Sequence, residues 1–221
     1  MAQPPNAPRI PSTRARGRLF VVAAPSGTGK TSLVKGLMAR VPTLSCSISH
    51  TTRPPRPNEV EGKDYYFVNK TTFQKMIEQG AFLEHASVFD HFYGTGTQPV
   101  EQTLSQGRDL LLEIDWQGAQ QVRRHLPEAI DIFILPPSTE ALETRLRNRA
   151  TDTDEVIARR LLDSVTELSH WQEFKYALVN DQFERALSDL TQLVTQDPRP
   201  FATDRTELAA LMDRLLAAPK A

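Results

Sequence analysis

Near the start of the chain, residues Ala24, Pro25, Ser26, Gly27, Thr28, Gly29, Lys30, Thr31 and Ser32 read APSGTGKTS. The spacing is that of G-x-x-x-x-G-K-[ST], a loop that cradles phosphate, with alanine in place of the first glycine. Such a loop works because consecutive backbone N–H groups point at an anion at the positive end of the helix that follows. Gly27 and Gly29 supply the close approach and the torsions that a side chain would obstruct. Lys30 is expected to reach the terminal phosphates, and the Thr31 hydroxyl to serve Mg2+ directly or through water. The first position mainly ends a strand and begins the turn, so alanine costs little if its torsions stay in the β region. The bland alternative is a glycine-rich turn with a surface lysine.

Two further groups of cations are spaced for anion binding. Arg53 and Arg56 lie three apart in the proline-stiffened run SHTTRPPRPNEVEGKDYYFV, with Ser49 beside them and Tyr65 after them. Guanidinium forks take phosphate oxygens in pairs, and serine or tyrosine hydroxyls complete a cage. Taken alone, two arginines in a polar loop read as a solvated basic segment. Arg145 and Arg149 are four apart, hence on one helix face, and Arg160 falls on the next helical stretch beside Arg159. The intervening ATDTDE is short and polar, as a flap would be; a solvated, ion-paired helix face is the ordinary reading. His50, His85, His91, His125 and His170 have no metal-ligand spacing, and Cys46 in LSCSIS reads as a small strand residue rather than a nucleophile.

The elements that must hold these residues alternate. RLFVVA (18–23), DLLLEI (109–114), DIFIL (131–135) and YALVN (176–180) are short apolar, strand-like runs. Helical stretches follow the glycine loop and are expected near 116–125, 138–149, 155–171 and from 181 onward. This alternation predicts an α/β fold, a parallel sheet with helices on both faces. The glycine loop lies between strand and helix, the context its pattern requires. Residues 49–96 break the rhythm and are expected to form a small mixed insertion, with helix-like TTFQKMIEQ inside it. The expected organisation is an arm at 1–17, a core at 18–48 and 97–205 with a lid near 145–160, and a final helix at 206–221.

The 221-residue length suits one domain with a small insertion. A net charge of −1 gives no general attraction to nucleic acid or acidic membrane. The single cysteine allows no internal disulfide and suits a reducing, cytoplasmic compartment. No stretch is apolar enough for a signal peptide or a membrane span.

Four blocks in order, APSGTGKTS, SHTTRPPRPNEVEGKDYYFV, FLEHASVFDHFYGT and EIDWQGAQQV, resemble the guanylate kinase family from about residue 19 to 190. The resemblance implies a P-loop core, a GMP-binding insertion, a lid, and transfer of a phosphoryl group from ATP to GMP with Mg2+. It places Ser49, Arg53, Arg56, Tyr65 and Tyr93 around the GMP phosphate, and Glu84, Thr95 and Asp115 near the base. Guanine offers N1–H and an amino group side by side, two donors that one carboxylate accepts together, whereas adenine would face it with an acceptor. Lys30, Arg145, Arg149 and Arg160 would act on the phosphates of ATP, and Asn180 would lie near its adenosine. Glu113 stands where the family more often has aspartate. A catalytically inactive, partner-binding relative of these kinases would be expected to lose the phosphate loop, which this chain keeps. The insertion motifs likewise argue against a kinase for another base.

Overall fold

The computed structural model describes residues 15–88, 90–147 and 154–217. Its centre is strand β1 (Leu19–Ala23), in which all five residues are buried. Successive side chains leave a strand on opposite faces, so Leu19, Val21 and Ala23 enter one core while Phe20 and Val22 enter another. A strand apolar on both faces belongs in the middle of a parallel sheet. β1 pairs in parallel with β7 (Leu110–Glu113) on one side and with β8 (Ile130–Leu135) on the other. β2 (Ser45–Cys46) and β9 (Tyr176–Val179) complete the five-stranded order β2-β7-β1-β8-β9.

Helices cover both faces. On the Phe20 side, α1 (Lys30–Arg40) packs Leu33, Val34 and Leu37 against Leu187, Leu190 and Val194 of α7 (Phe183–Thr195). On the Leu19 side lie α3 (Thr97–Ser105), α4 (Trp116–His125) and α8 (Thr206–Leu216), with Leu168 at the end of α6 (Asp154–Leu168). The observed α4 matches the expected 116–125. By contrast, α5 (Thr139–Arg147) starts one residue later than expected and its end adjoins residues outside the described set. The expected helix to 171 stops at Leu168, and a short 3-10 turn at Trp171–Glu173 follows. Helix α3 had no counterpart in the sequence expectation: Pro99 and the polar run around it obscure the period, and burial of Val100 and Leu104 decides it.

Residues 49–96 carry a second sheet made of β3 (His50–Thr51), β4 (Tyr66–Phe67), β5 (Phe82–Val88) and β6 (His91–Gly96). Its order is β4-β3-β6-β5, mixed in direction. Helix α2 (Lys70–Glu78) is N-capped by Asn69, whose side chain accepts from Thr72 N–H at 2.8 Å. From α2, Phe73 stacks on Phe82 and Phe92 and forms the small core of this sheet.

The parallel sheet carries one buried charge. Asp131, fully buried on β8, takes an Arg123 N–H at 2.9 Å and the Lys175 backbone N–H at 2.8 Å. Arg123 also reaches Glu173 at 2.7 Å and lies over the Phe174 ring. Removing the carboxylate leaves one Arg123 N–H and the Lys175 backbone N–H without their acceptor in a buried place. Asp131→Ala is therefore expected to cost about 3 kcal/mol in urea unfolding, with Asp131→Asn costing less because the amide oxygen still accepts.

Candidate active site

β1 ends at Ala23 and the glycine loop begins at once. Among the described non-glycine residues only Asn58 and Asp90 have positive φ, so Ala24 keeps an ordinary torsion and the missing first glycine is not needed. Gly27 and Gly29 do take positive φ, 84° and 93°, where a side chain would be strained. A Cβ on Gly29 would also meet Asn180 Nδ2 at 2.7 Å. Gly29 is the N-cap of α1, so the loop ends on the positive end of that helix. The back of the loop is pinned: Thr28 Oγ1 donates to Pro25 O at 2.7 Å, and Asn180 Nδ2 donates to Thr28 O at 2.7 Å. Lys30 Nζ donates to Ile114 O at 2.6 Å, and Thr31 Oγ1 donates to Glu113 Oε1 at 2.5 Å. Ser32, next in α1, is exposed.

A cavity of about 230 Å³ opens in front of the loop, between the two sheets. Ser26 and Lys30 form its floor. Tyr93 comes from β6, Ser49, Arg53, Arg56 and Tyr65 from the segments flanking β3 and β4, and Arg160 from α6. The helical phase of α6 thus turns Arg160, not Arg159, toward the cavity. Arg53 is held in place before any ligand arrives: it donates to both Glu59 oxygens at 2.8 and 2.9 Å and to Pro54 O at 2.6 Å, and stands over the Tyr65 ring. Burial alone would raise the Glu59 carboxyl, but the Arg56 backbone N–H and the Arg53 guanidinium more than offset it and hold it below its ordinary value. Arg56 is the more exposed of the pair.

Three acids, Glu84, Glu113 and Asp115, also line the cavity. Glu84 is only 3 % exposed. The β5–β6 register shifts between Phe82 and Glu84, a bulge that buries both Leu83 and Glu84 where strict alternation would expose one of them. Burial pushes the Glu84 carboxyl up to about 7; nearby Asp115 adds to this, while Thr95 and Lys30 oppose it. Asp115 caps α4, accepting from Gly118 N–H at 2.8 Å, and its carboxyl is also raised by burial. Thr95 is buried, 3.1 Å from the Ser49 hydroxyl.

The cavity therefore gathers Ser26, Lys30, Ser49, Arg53, Arg56, Tyr65, Glu84, Tyr93, Asp115 and Arg160 out of the sequence candidates. Arg145 and Asn180 are not among the lining residues; they contact the loop at Thr28. Arg145 donates to Thr28 O at 3.3 Å, an oxygen that also accepts from Asn180 Nδ2, and to Asn180 O at 2.9 Å. Arg149 lies outside the described residues. Trp116 packs rather than facing the cavity, stacked on His170 with ring centroids 3.5 Å apart. No group of three or more His, Cys, Asp or Glu side chains among the described residues is arranged to hold a metal ion unaided.

Sequence reasoning missed Glu59, Gln121 and Glu167. Gln121 on α4 both donates to His85 O at 2.7 Å and accepts from His85 N–H at 3.1 Å, which fixes β5 against α4. Glu167 on α6 accepts from Ser26 N–H at 3.1 Å, and burial lifts its carboxyl to about 7. The i to i+3 spacing of Ser164 and Glu167 was the available signal, since Ser164 Oγ also faces Ser26 O at 3.5 Å.

The sequence model of the guanylate kinase family matches residues 16–197. A guanylate kinase of Methylococcus capsulatus is 56% identical over 201 residues, 91% of this chain and 98% of its own. One of Escherichia coli K12 is 48% identical over 205 residues, 92% of this chain and 99% of its own. The crystal structure of guanylate kinase from Anaplasma phagocytophilum superimposes with a TM-score of 0.67 at 31% identity, covering 90% of this chain and 95% of that one. A phosphate loop facing an arginine and tyrosine cage, on a chain alike these proteins over nearly its whole length, has one reading: the chain belongs to the guanylate kinase family.

Proposed function

We propose the following division of labour for guanylate kinase chemistry in this chain, the transfer of the γ-phosphoryl group of ATP to GMP. The observation that carries it is the single cavity shared by Lys30, the Arg53–Arg56–Tyr65–Tyr93 cage and Glu84. The segment 49–96 holds GMP, and the core at 18–48 and 97–205 holds ATP. Ser49, Arg53, Arg56, Tyr65 and Tyr93 bind the GMP phosphate. Glu84, backed by Thr95 and Asp115, accepts from guanine N1–H and its amino group in a site dry enough that a wrong base leaves an unpaired charge. The loop from Ala24 to Ser32 wraps the ATP phosphates. Asn180 and Arg145 brace its back, and Arg145 adds positive charge beside it. Arg149 is assigned to the same phosphates on the family resemblance alone.

The reaction needs no general base. The nucleophile is a GMP phosphate oxygen, largely dianionic at neutral pH because the second pKa of a phosphate monoester is about 6. What remains is to hold two anions in line and neutralise charge as the phosphoryl group crosses. Lys30 releases Ile114 O to follow that charge, and Arg160 faces it from α6. The Thr31 hydroxyl and Glu113 carboxylate are adjacent hard oxygen donors of the kind Mg2+ prefers. That ion, bound with ATP, supplies charge neutralisation and phosphate orientation. The cation cage accounts for two small nucleotides as partners, and no described helix is long and apolar enough to cross a membrane. The single free cysteine, Cys46, supports a cytoplasmic setting.

Lys30→Ala is expected to lower kcat by roughly two orders of magnitude or more while the melting temperature stays near wild type. A near-normal kcat, read as ADP formation in a coupled assay, would refute the role of Lys30. Glu84→Ala should raise the KM for GMP by about tenfold or more and leave that for ATP unchanged; equal effects on both substrates would remove Glu84 from base recognition. In the nucleotide-free protein Glu84 ionises near 7, whereas in the unfolded chain it ionises near 4.5. Between those values the native state holds the extra proton. Its contribution to stability, on the order of 3 kcal/mol, is thus complete below pH 4.5 and lost as pH rises through 7. The urea midpoint of the wild type should therefore fall more steeply from pH 5 to 7.5 than that of Glu84→Gln. Parallel slopes would mean that Glu84 has ordinary acidity.

A further inference from the structure

Glu84 is held from one side by the hairpin that carries it; the other side is set by a residue with no side chain. Gly118 lies in the first turn of α4, and its φ is not positive, so its backbone needs no glycine. Space is the constraint instead. A Cβ built on Gly118 would come to 2.4 Å from Glu84 Oε2, 3.1 Å from Glu84 Cδ and 3.2 Å from Ile114 Cδ1. Real Cβ contacts do not fall so short, so one of these groups must move. Ile114 is 7 % exposed and belongs to the core. The backbone next to Glu84 cannot withdraw, because Gln121 clamps both polar groups of His85 to α4. What can rotate is the Glu84 carboxylate.

We propose that Gly118 is a specificity-determining residue: its missing side chain makes the space in which the Glu84 carboxylate lies against α4, aimed at the guanine edge. This rests on the reading of Glu84 given above. Gly118 is a positioning residue, acting on base recognition only through Glu84. It has no part in holding ATP, since the loop and Lys30 face the cavity from β1 and α1. A methyl group at 118 displaces the two acceptor oxygens by the order of an ångström, and a misplacement of that size can remove a large part of a paired hydrogen bond's benefit.

The test is a double-mutant cycle on the full chain, with KM for GMP and for ATP and the melting temperature measured for Gly118→Ala, Glu84→Ala and the two together. Gly118→Ala is expected to raise the KM for GMP roughly tenfold with the KM for ATP unchanged. In the Glu84→Ala background the same substitution should change the KM for GMP by less than about twofold, since the group it displaces is gone. Alanine favours a helix more than glycine does, so the fold should persist. If the melting temperature of Gly118→Ala nevertheless falls, its recovery in the double variant would still locate the clash at Glu84, and a fall that persists there would overturn the proposal. A GMP effect of Glu84→Ala without one of Gly118→Ala overturns the role of Gly118 and leaves Glu84 in place. Additive effects place Gly118 elsewhere and overturn the proposal equally. Loss of the GMP effect in Glu84→Ala itself refutes the Glu84 reading, and this inference with it.

Discussion

Everything in this molecule depends on the parallel pairing of β1 with β7 and β8. A strand buried on both faces can satisfy its backbone only between neighbours, and parallel neighbours bring all carboxyl ends to one edge. Ligand sites of open α/β sheets gather at that edge. Here it brings together the loop after β1, Glu113 and Asp115 at the end of β7, and Asn180 after β9. These positions are far apart in the chain, yet Lys30 Nζ meets Ile114 O and Asn180 meets Thr28 O directly.

The cavity in front of that edge is lined by both signs of charge: arginines 53, 56 and 160 with Lys30, and Glu84, Glu113 and Asp115. Buried carboxylates would be costly without compensation. Glu84 meets that cost by a pKa raised to about 7 and by hydrogen bonding from Thr95. The same physics operates at Glu167, which ties the end of α6 to the Ser26 N–H of the loop. Since α6 also carries Arg160, the position of that cation and the shape of the loop are joined through one helix.

Much of this was legible in the sequence, and for identifiable reasons. The phosphate loop is local: consecutive residues between a strand and a helix, with glycines where φ turns positive. Ala24 in the first position could be judged from torsional requirements alone, and its φ is ordinary. The apolar runs of β1, β7, β8 and β9 are continuous because both faces are covered, so an α/β core could be read without knowing the pairing. The arginines near 53 and 56, and Glu84 through family resemblance, were named before any geometry.

Other features depend on residues that meet only after folding. The β5 bulge turns Glu84 inward, and no alternation rule would have found it. Glu59 is one acid among many until it grips Arg53, and Gln121 is one amide in a polar helix until it clamps His85. Arg145 and Asn180 meet the backbone oxygen of Thr28 from segments more than a hundred residues away, a convergence that chain order does not show. Composition, strand order along the chain and the phosphate loop were thus set by the sequence itself, because each rests on neighbours in the chain. The orientation of Glu84, the phase of Arg160 and the space at Gly118 were decided by tertiary structure alone, because each is a distance between segments that only the packed sheets bring into contact.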